Sequence, residues 1–501
     1  MPNDILYGIS VALTFQNLIY CFLGVLMGTL VGVLPGLGPV AAMSLLFTST
    51  LHLPPVSGMI MLAGIYYGAQ YGGSTTSILL NIPGEASSVI TCLDGYQMAR
   101  QGRAGPALGI SAFGSFIGGT LSVVGLMLMA PPLANLALEF GFPENFSLMC
   151  LGLVVVSFLA RGSMLKAMAM VAFGLFLGTI GIDILVGKPR FTLRIKSLMD
   201  GVGLIPVVMG LFGISEVLLN VEEGLSRDVF KAKISHLLPS LKDWKDSIKP
   251  ILRGTVLGFF LGILPGGGAI VSSFTSYAVE KRFSKYPEKF GTGVIEGVAG
   301  PETANNAGSS GAFVPLLTLG IPSNAVMALL LGLLLTQGVQ VGPLLLKQHS
   351  DIFWGVVVSM YIGNVMLLIL NLPLIGLWVK ILKIPYPILF PLILLFCVIG
   401  SYSLNNSTED VLLMIAFGIL GYLMKKFEYE GAPMILALVL SPLMENAFRQ
   451  TLLISQGSFL IFITHPISAT LLFVSLILLL YPLIPWFKFR GKLESLKGDE
   501  G

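Results

Sequence analysis

Gly32-Val-Leu-Pro-Gly-Leu-Gly38 returns as Gly262-Ile-Leu-Pro-Gly-Gly-Gly268, shifted by 230 positions (262 − 32 = 230). The glycines leading into each copy repeat with it, Gly24 and Gly28 becoming Gly254 and Gly258. Both copies lie in strongly apolar stretches. Proline removes an amide donor and breaks the helical ladder. Glycine opens backbone conformations closed to other residues. A helix interrupted this way inside a bilayer frees N–H and C=O groups, which are costly unless they line a cavity or find partners. A Gly/Pro-interrupted apolar segment at corresponding places in two halves points to the binding site of a secondary transporter. The Gly-x-x-x-Gly ladder reads differently. Small residues four apart make a smooth helix face, so Gly24, Gly28, Gly254 and Gly258 are expected to pack.

The composition sets the medium. Of 501 residues 54% are hydrophobic and 11% charged, with a mean hydropathy of +0.87; soluble domains carry about 25% charged residues. Long apolar runs recur at 17–34, 107–133, 148–160, 167–186, 325–346, 352–379 and 467–486. These make an all-α polytopic membrane protein with roughly 11 to 14 membrane segments, some of them broken or re-entrant. Trp244, Trp354, Trp378 and Trp486 flank apolar segments and suit an aromatic belt. The paired prolines at 54–55 and 131–132 suit turns or helix ends. Four cysteines and four histidines are scattered, with no metal or redox spacing. No cofactor, metal centre or nucleic-acid partner is expected.

Charge placement orients the chain. No Lys or Arg precedes Arg100, whereas Lys488, Arg490, Lys492 and Lys497 crowd the end. Positive charge favours the cytoplasm, placing the N-terminus in the periplasm and the C-terminus inside. The start lacks the basic region of a cleaved signal peptide. Residues 1–221 form a first membrane repeat, 222–250 a basic cytoplasmic linker with Arg227, Lys231, Lys233, Lys242, Lys245 and Lys249, and 251–501 a second repeat plus C-terminal helices. The second glycine segment then enters from the cytoplasm and returns to the basic cluster Lys281, Arg282, Lys285 and Lys289. The first enters from outside. Two inverted-topology repeats follow.

A second pair of elements repeats more loosely. The run from Ala69 through Ser74, Thr75 and Thr76 resembles Ala304, Asn305, Asn306 through Ser309 and Ser310, at an offset of 235 (304 − 69). Asn81-Ile-Pro83-Gly84-Glu85 resembles Gly320-Ile-Pro322-Ser323-Asn324, at an offset of 239 (322 − 83). Hydroxyl, carboxamide and freed carbonyl oxygens suit a hard cation, and half-helix N-termini suit an anion. Pro35, Gly36, Gly38, Pro265, Gly266 and Gly268 at the two tips complete the candidate substrate and ion site. Glu85 and Glu302 beside the motifs are candidate cation or proton ligands, because an ionisable group within a membrane is functional by default. Asp94 and Glu296 read as nearer the aqueous edge, and Asp183 as a surface ion pair with Lys188 and Arg190. Asn81, Asn305 and Asn324 are expected to govern affinity more than folding.

At Gly32–Gly38, Tyr67–Glu85, Gly262–Gly268 and Gly300–Ser310, four motifs in order over essentially the whole chain, the sequence resembles the large permease subunit of tripartite tricarboxylate transporters. The resemblance implies a permease of the bacterial cytoplasmic membrane. It also implies a small membrane subunit, a periplasmic solute-binding protein, citrate-like organic carboxylates as substrates, and a coupling gradient of Na⁺ or H⁺. No Gly-x-x-x-x-Gly-Lys-[Ser/Thr] occurs, so this chain carries no ATP-binding loop of that type. An intramembrane enzyme would need a nucleophile with its base or a metal cluster, and no such grouping stands out. A channel is the further alternative: the inverted duplication argues for alternating access, and saturable, partner-dependent flux discriminates the two. A purely structural subunit would not need repeated broken segments.

Overall fold

The computed structural model describes residues 2–34, 38–160, 162–183, 186–223, 237–381 and 386–481. Pro35 and Gly36, the linker cations Arg227, Lys231 and Lys233, Trp486 and the C-terminal cations lie outside the described residues. The first part comprises α1 (Pro2–Ala12), α2 (Phe15–Val33), α3 (Gly38–Thr50), α4 (Pro55–Leu80), α5 (Thr91–Arg100), α6 (Ala104–Ala137), α7 (Phe142–Phe158) and α8 (Met164–Gly178). A small hairpin of β1 (Gly181–Ile182) and β2 (Pro189–Arg190) follows, then α9 (Leu204–Val208), a π-helical stretch (Met209–Ile214) and α10 (Ser215–Glu223). The second part comprises α11 (Leu241–Ile263), α12 (Gly268–Phe283), α13 (Glu296–Gly311), α14 (Phe313–Leu319), α15 (Ala325–Thr336), α16 (Leu345–Gln348) and α17 (Ser350–Asn371). Helices α18 (Ile375–Ile381), α19 (Tyr386–Asn405), α20 (Thr408–Lys426), α21 (Gly431–Ile454), α22 (Ile461–Thr464) and α23 (Pro466–Leu480) complete it. Among the described residues six helices are long and apolar enough to cross a membrane, and four shorter apolar helices accompany them. The chain is an all-α, multi-pass membrane protein.

The glycine ladders do what their spacing implies. A methyl group at Gly24, Gly28 or Gly32 would overlap the backbone of Met61, Ile65 or Ala69 on α4. At Gly254, Gly258 or Gly262 it would overlap Gly300, Ala304 or Gly308 on α13. In both pairs the contact numbers rise together, so α2 runs parallel to α4, and α11 to α13. The helix between must therefore return. In the second copy Arg253, midway along α11, is ion-paired with Glu280, late in α12, which makes α11 and α12 a hairpin closed at Leu264–Gly267.

The contacts also correct the register of the second motif pair. Met61 corresponds to Gly300, Asn81 to Gly320 and Pro83 to Pro322, all at 239 (300 − 61 = 239). The offset of 235 read for the Ser/Thr/Asn run is one helical turn short, because sequence likeness alone ignores which face meets the glycines. Asn81 and Gly320 share a role as left-handed helix ends, with φ of 58° and 71°. Helices α4 and α13–α14 meet antiparallel: Ser74 lies against Glu302, while Tyr66 lies against Phe313 with ring centroids 6.5 Å apart.

Other expectations shift. Helix α11 begins at Leu241 with a reciprocal cap. The Ser240 hydroxyl accepts from the Asp243 amide at 3.2 Å and the Asp243 carboxylate accepts from the Ser240 amide at 3.0 Å. Residues 241–250 of the linker are therefore the first turns of α11. Arg103 ion-pairs with Asp243, placing the turn between α5 and α6 beside the start of α11. Pro131 and Pro132 lie inside α6, near its end, where lost donors interrupt little of the ladder. Trp354 and Trp378 are core residues, 3% and 1% exposed; the Trp378 indole donates to the Leu370 carbonyl at 2.8 Å. Flanking an apolar segment in sequence does not place them at a membrane surface. Apolar side chains such as Leu392, Leu395 and Phe396 on α19 face outward, as a lipid-facing helix requires.

Candidate functional site

The breaks create the site. Gly266 has φ of 75°, a conformation glycine reaches without penalty. Its amide donates to the Ser323 carbonyl at 2.8 Å, so the second hairpin tip is hydrogen-bonded to the second Ile-Pro break. Gly84 of the first break packs on Gly32, and a methyl there would also overlap Gly73. The second tip is thus seated on one broken helix, and the last turn of α2 packs on the other.

A cavity of about 570 Å³ lies where these pieces meet. Of the expected site residues Gly38, Pro83, Gly84, Glu85, Gly266, Gly268, Ser323 and Asn324 border it. The N-terminal turns of α12 and α15 open onto it through Gly268 and Ala325, and helix N-termini favour anions. Asn324 also serves the backbone, its side-chain oxygen accepting from the Met327 amide at 3.0 Å and capping α15. The Ser323 hydroxyl is buried without a partner.

Two buried carboxylates, Glu85 in the cavity wall and Glu302 behind it, sit in cages of neutral donors. Glu302 accepts from Ser74 and Thr91. Glu85 accepts from Ser87 at 2.9 Å, Ser88 at 3.1 Å and the Asn305 amide at 3.3 Å. A methyl at Gly73 would collide with the Glu85 carboxylate, so that glycine makes room for the acid. Among the described residues neither carboxylate has an ion pair. Asn306 donates to the Ser115 hydroxyl at 2.7 Å. The side-chain oxygens of Asn305 and Asn306 are buried without a donor, and so free to meet a cation.

The remaining expected residues divide. Thr76 and Ser309 donate to the carbonyls of Gly73 at 2.9 Å and Asn305 at 3.0 Å, the usual satisfaction of a hydroxyl within a helix. Thr75, Ser310 and Pro322 are buried away from the cavity lining. Asn81 is exposed at the end of α4, and Pro265 is half-buried at the hairpin tip. Sequence reasoning missed Tyr66, Gln70, Ser87, Glu216 and Lys425, all of which line the cavity. Lys425 ion-pairs with Glu216 and brings the positive charge that the motifs lack. It comes from α20 and Glu216 from α10, so no local pattern links either to the repeats.

Two acids read as peripheral are buried instead. Asp94 accepts from the amides of Gly291, Gly293 and Val294 at 3.0, 2.8 and 2.9 Å and from the Tyr277 hydroxyl at 2.8 Å. It pins the loop after α12 onto α5. Asp183 reaches Arg190 at 3.6 Å as expected, but it is buried and bound chiefly by Arg449, because α21 folds back over the β hairpin.

Comparison with known proteins shows the family. The Tripartite tricarboxylate transporter TctA family profile matches residues 18–436. The chain belongs to that family. It is a transporter family rather than an enzyme family, and its systems are tripartite, so this chain is a membrane subunit that works with others. The chain is similar to an uncharacterized 52.8 kDa protein in the TAR-I ttuC' 3'region of Agrobacterium vitis, 50% identical over 498 residues and covering 99% of both chains. It is 52% identical over 239 residues to an uncharacterized protein in the TAR-II ttuC' 3'region of the same organism, covering 48% of this chain and 98% of that one. No solved structure matches.

Proposed function

We propose that this chain is the permease subunit of a secondary active transporter that imports tricarboxylates or related citrate-like carboxylates across the bacterial cytoplasmic membrane. A periplasmic solute-binding protein delivers the substrate, a small membrane subunit completes the assembly, and symport with Na⁺ or H⁺ drives uptake. The observation that carries this reading is the meeting of the second glycine–proline break, of Gly38 at the start of α3 and of both Ile-Pro breaks around one cavity, backed by Glu85 and Glu302. A carboxylate in lipid without a counter-charge is costly. Bound Na⁺ or a proton relieves that cost, and Ser74, Thr91, Ser87, Ser88 and Asn305 offer oxygen ligands or neutral donors suited to either. The substrate's carboxylates are met by Ser323, Asn324, Lys425 and the N-termini of α12 and α15. The antiparallel meeting of α4 with α13–α14, and the shared hairpin-then-parallel-helix pattern, support inverted repeats and alternating access. With the basic start of α11 in the cytoplasm, the N-terminus is periplasmic and the C-terminus cytoplasmic.

The test is reconstitution with the partner subunits in liposomes and a panel of organic carboxylates under imposed Na⁺ or proton gradients. Saturable, gradient-dependent uptake of at least one carboxylate is expected. Uptake of none, or flux indifferent to both gradients, contradicts the reading.

A further inference from the structure

A second cavity, of about 860 Å³, lies beyond the first. Helices α3, α15 and α21 each border both. Ala41, Val326 and Leu436 line the first, and Phe47, Gly332 and Leu438 the second. On α21 only Ala437 separates the two linings, and on α15 the fully buried Leu329, Leu330 and Leu331 lie between. The cavities thus stand in series along the same helices. In the orientation proposed above the first faces the cytoplasm and the second the periplasm.

The second cavity holds a charge arrangement that the first lacks. Asp183, Arg190, Glu445 and Arg449 all line it. Arg190 forks onto Glu445 at 2.6 and 3.1 Å and reaches Asp183 at 3.6 Å. Arg449 holds both Asp183 oxygens at 3.0 and 2.9 Å and Glu445 at 2.7 Å. Two guanidiniums and two carboxylates close a ring joining the β hairpin to α21. A packed core would exclude water from such a ring. Here the Arg190 and Arg449 side chains keep 27% and 31% of their surface open, on the wall of a chamber large enough for a small organic acid. The Nε–H of Arg190 is buried and makes no hydrogen bond, leaving one donor of its planar fork unused. Asn405 and Asn446 add amides to the same wall.

We propose that this ring is a separate carboxylate-binding station. Arg190 and Arg449 receive a carboxylate of an incoming di- or tricarboxylate in place of that of Glu445, while buried Asp183 stays bound to Arg449. The fork of arginine matches a carboxylate whether it comes from the chain or from a ligand. Partly exposed pairs are worth little net stability, so the exchange is nearly balanced and reversible, as a station on a transport path requires. The freed Glu445 turns to solvent in the chamber, and release of the ligand restores the ring. This inference rests on the carboxylate-transport reading but concerns a different cavity.

The test uses full-length protein with Cys92→Ala and Cys150→Ala, and Asn446→Cys as a reporter, since Asn446 is an exposed residue of the wall. The rate of modification by a membrane-impermeant thiol reagent is measured with citrate, succinate or tartrate present, against chloride at equal ionic strength. At least one carboxylate is expected to slow labelling severalfold. Arg449→Lys, which keeps the charge but loses the fork, should weaken that protection about tenfold in concentration, close to the effect of one charge-assisted hydrogen bond. Arg449→Gln alone strands Asp183, so Asp183→Asn with Arg449→Gln serves as the charge-balanced variant, and it should abolish protection in protein that still elutes as a single species. Uptake of a panel carboxylate without protection by it overturns the station and leaves the transport reading standing. Protection that survives the balanced variant also overturns the station. Protection without uptake of any panel member sinks the transport reading and keeps the station.

Discussion

Alanine substitution along the glycine ladders separates packing from binding. At Gly258 an added methyl would lie 2.7 Å from the Ala304 Cα and 2.8 Å from the Ala307 Cβ. Ordinary van der Waals contact begins at 3.4 Å, so α11 and α13 must part by at least 0.7 Å (3.4 − 2.7), and the Ala304 carbonyl oxygen lies closer still. The neighbour on one side is helix backbone, which yields only as a whole element. Overpacking of this kind costs about 1–3 kcal/mol. At Gly152 on α7 the same methyl meets nothing closer than Ile321 Cγ2 at 3.9 Å, and Gly→Ala at a compatible helical site contributes about 0.4–1 kcal/mol of stability. Gly258→Ala and Gly152→Ala should therefore shift in opposite directions, separated by about 1.4–4 kcal/mol. Thermal unfolding of the purified proteins in one detergent reads the difference. Gly28→Ala, packed against Ile65 in the matching position, should follow Gly258→Ala. Similar midpoints for Gly152→Ala and Gly258→Ala would refute the close-packing account of the ladder.

Further outcomes follow from individual residues. Glu302→Gln keeps the shape of the side chain, so the protein should fold, while carboxylate uptake loses its dependence on the cation gradient by an order of magnitude or more; unchanged gradient dependence would remove Glu302 from coupling. Asp94→Ala leaves three backbone donors and a phenol unsatisfied, each a cost of about 1–3 kcal/mol, so yield and thermal midpoint should collapse, and near-normal stability would contradict the pinning role. Asn81→Gly should be tolerated and Asn81→Leu should cost about 1–2 kcal/mol, because the position needs a left-handed backbone; equal midpoints would remove that constraint. Cysteines at Ser49, at the exposed end of α3, and at Lys285, just after α12, should be labelled from opposite sides of right-side-out vesicles, and labelling from one side would sink the inverted arrangement.

Which parts of this molecule the sequence discloses follows from what is local. The duplicated Leu-Pro-Gly-x-Gly is a backbone event written in consecutive residues, and its second copy folds as the turn of a hairpin whose tip borders the cavity. The glycine ladder is equally local, a helix face readable from spacing alone. The register of the Ser/Thr/Asn runs is not, because it depends on which face meets the ladder. Four residues separate the best sequence match from the packed one, and four residues are one turn of the same face. Lys425, Glu216, Tyr66 and Gln70 reach the cavity from three different helices, and Asp183 meets Arg449 across 266 positions. Such meetings exist only once α10, α20 and α21 are folded against the repeats. The buried Trp354 and Trp378 show the same limit: an apolar segment's flank in sequence is the core when another helix covers it.

The most direct measurement of the central claim is substrate protection at Ser323, which borders the first cavity and whose hydroxyl has no partner. In Ser323→Cys protein, with Cys92 and Cys150 replaced by alanine and reconstituted with its partners, thiol modification is followed with and without the carboxylate that supports uptake. The account expects that carboxylate to slow modification, and to do so only when the coupling cation is present. Rapid modification at saturating carboxylate, while uptake proceeds, would place the substrate elsewhere and contradict it.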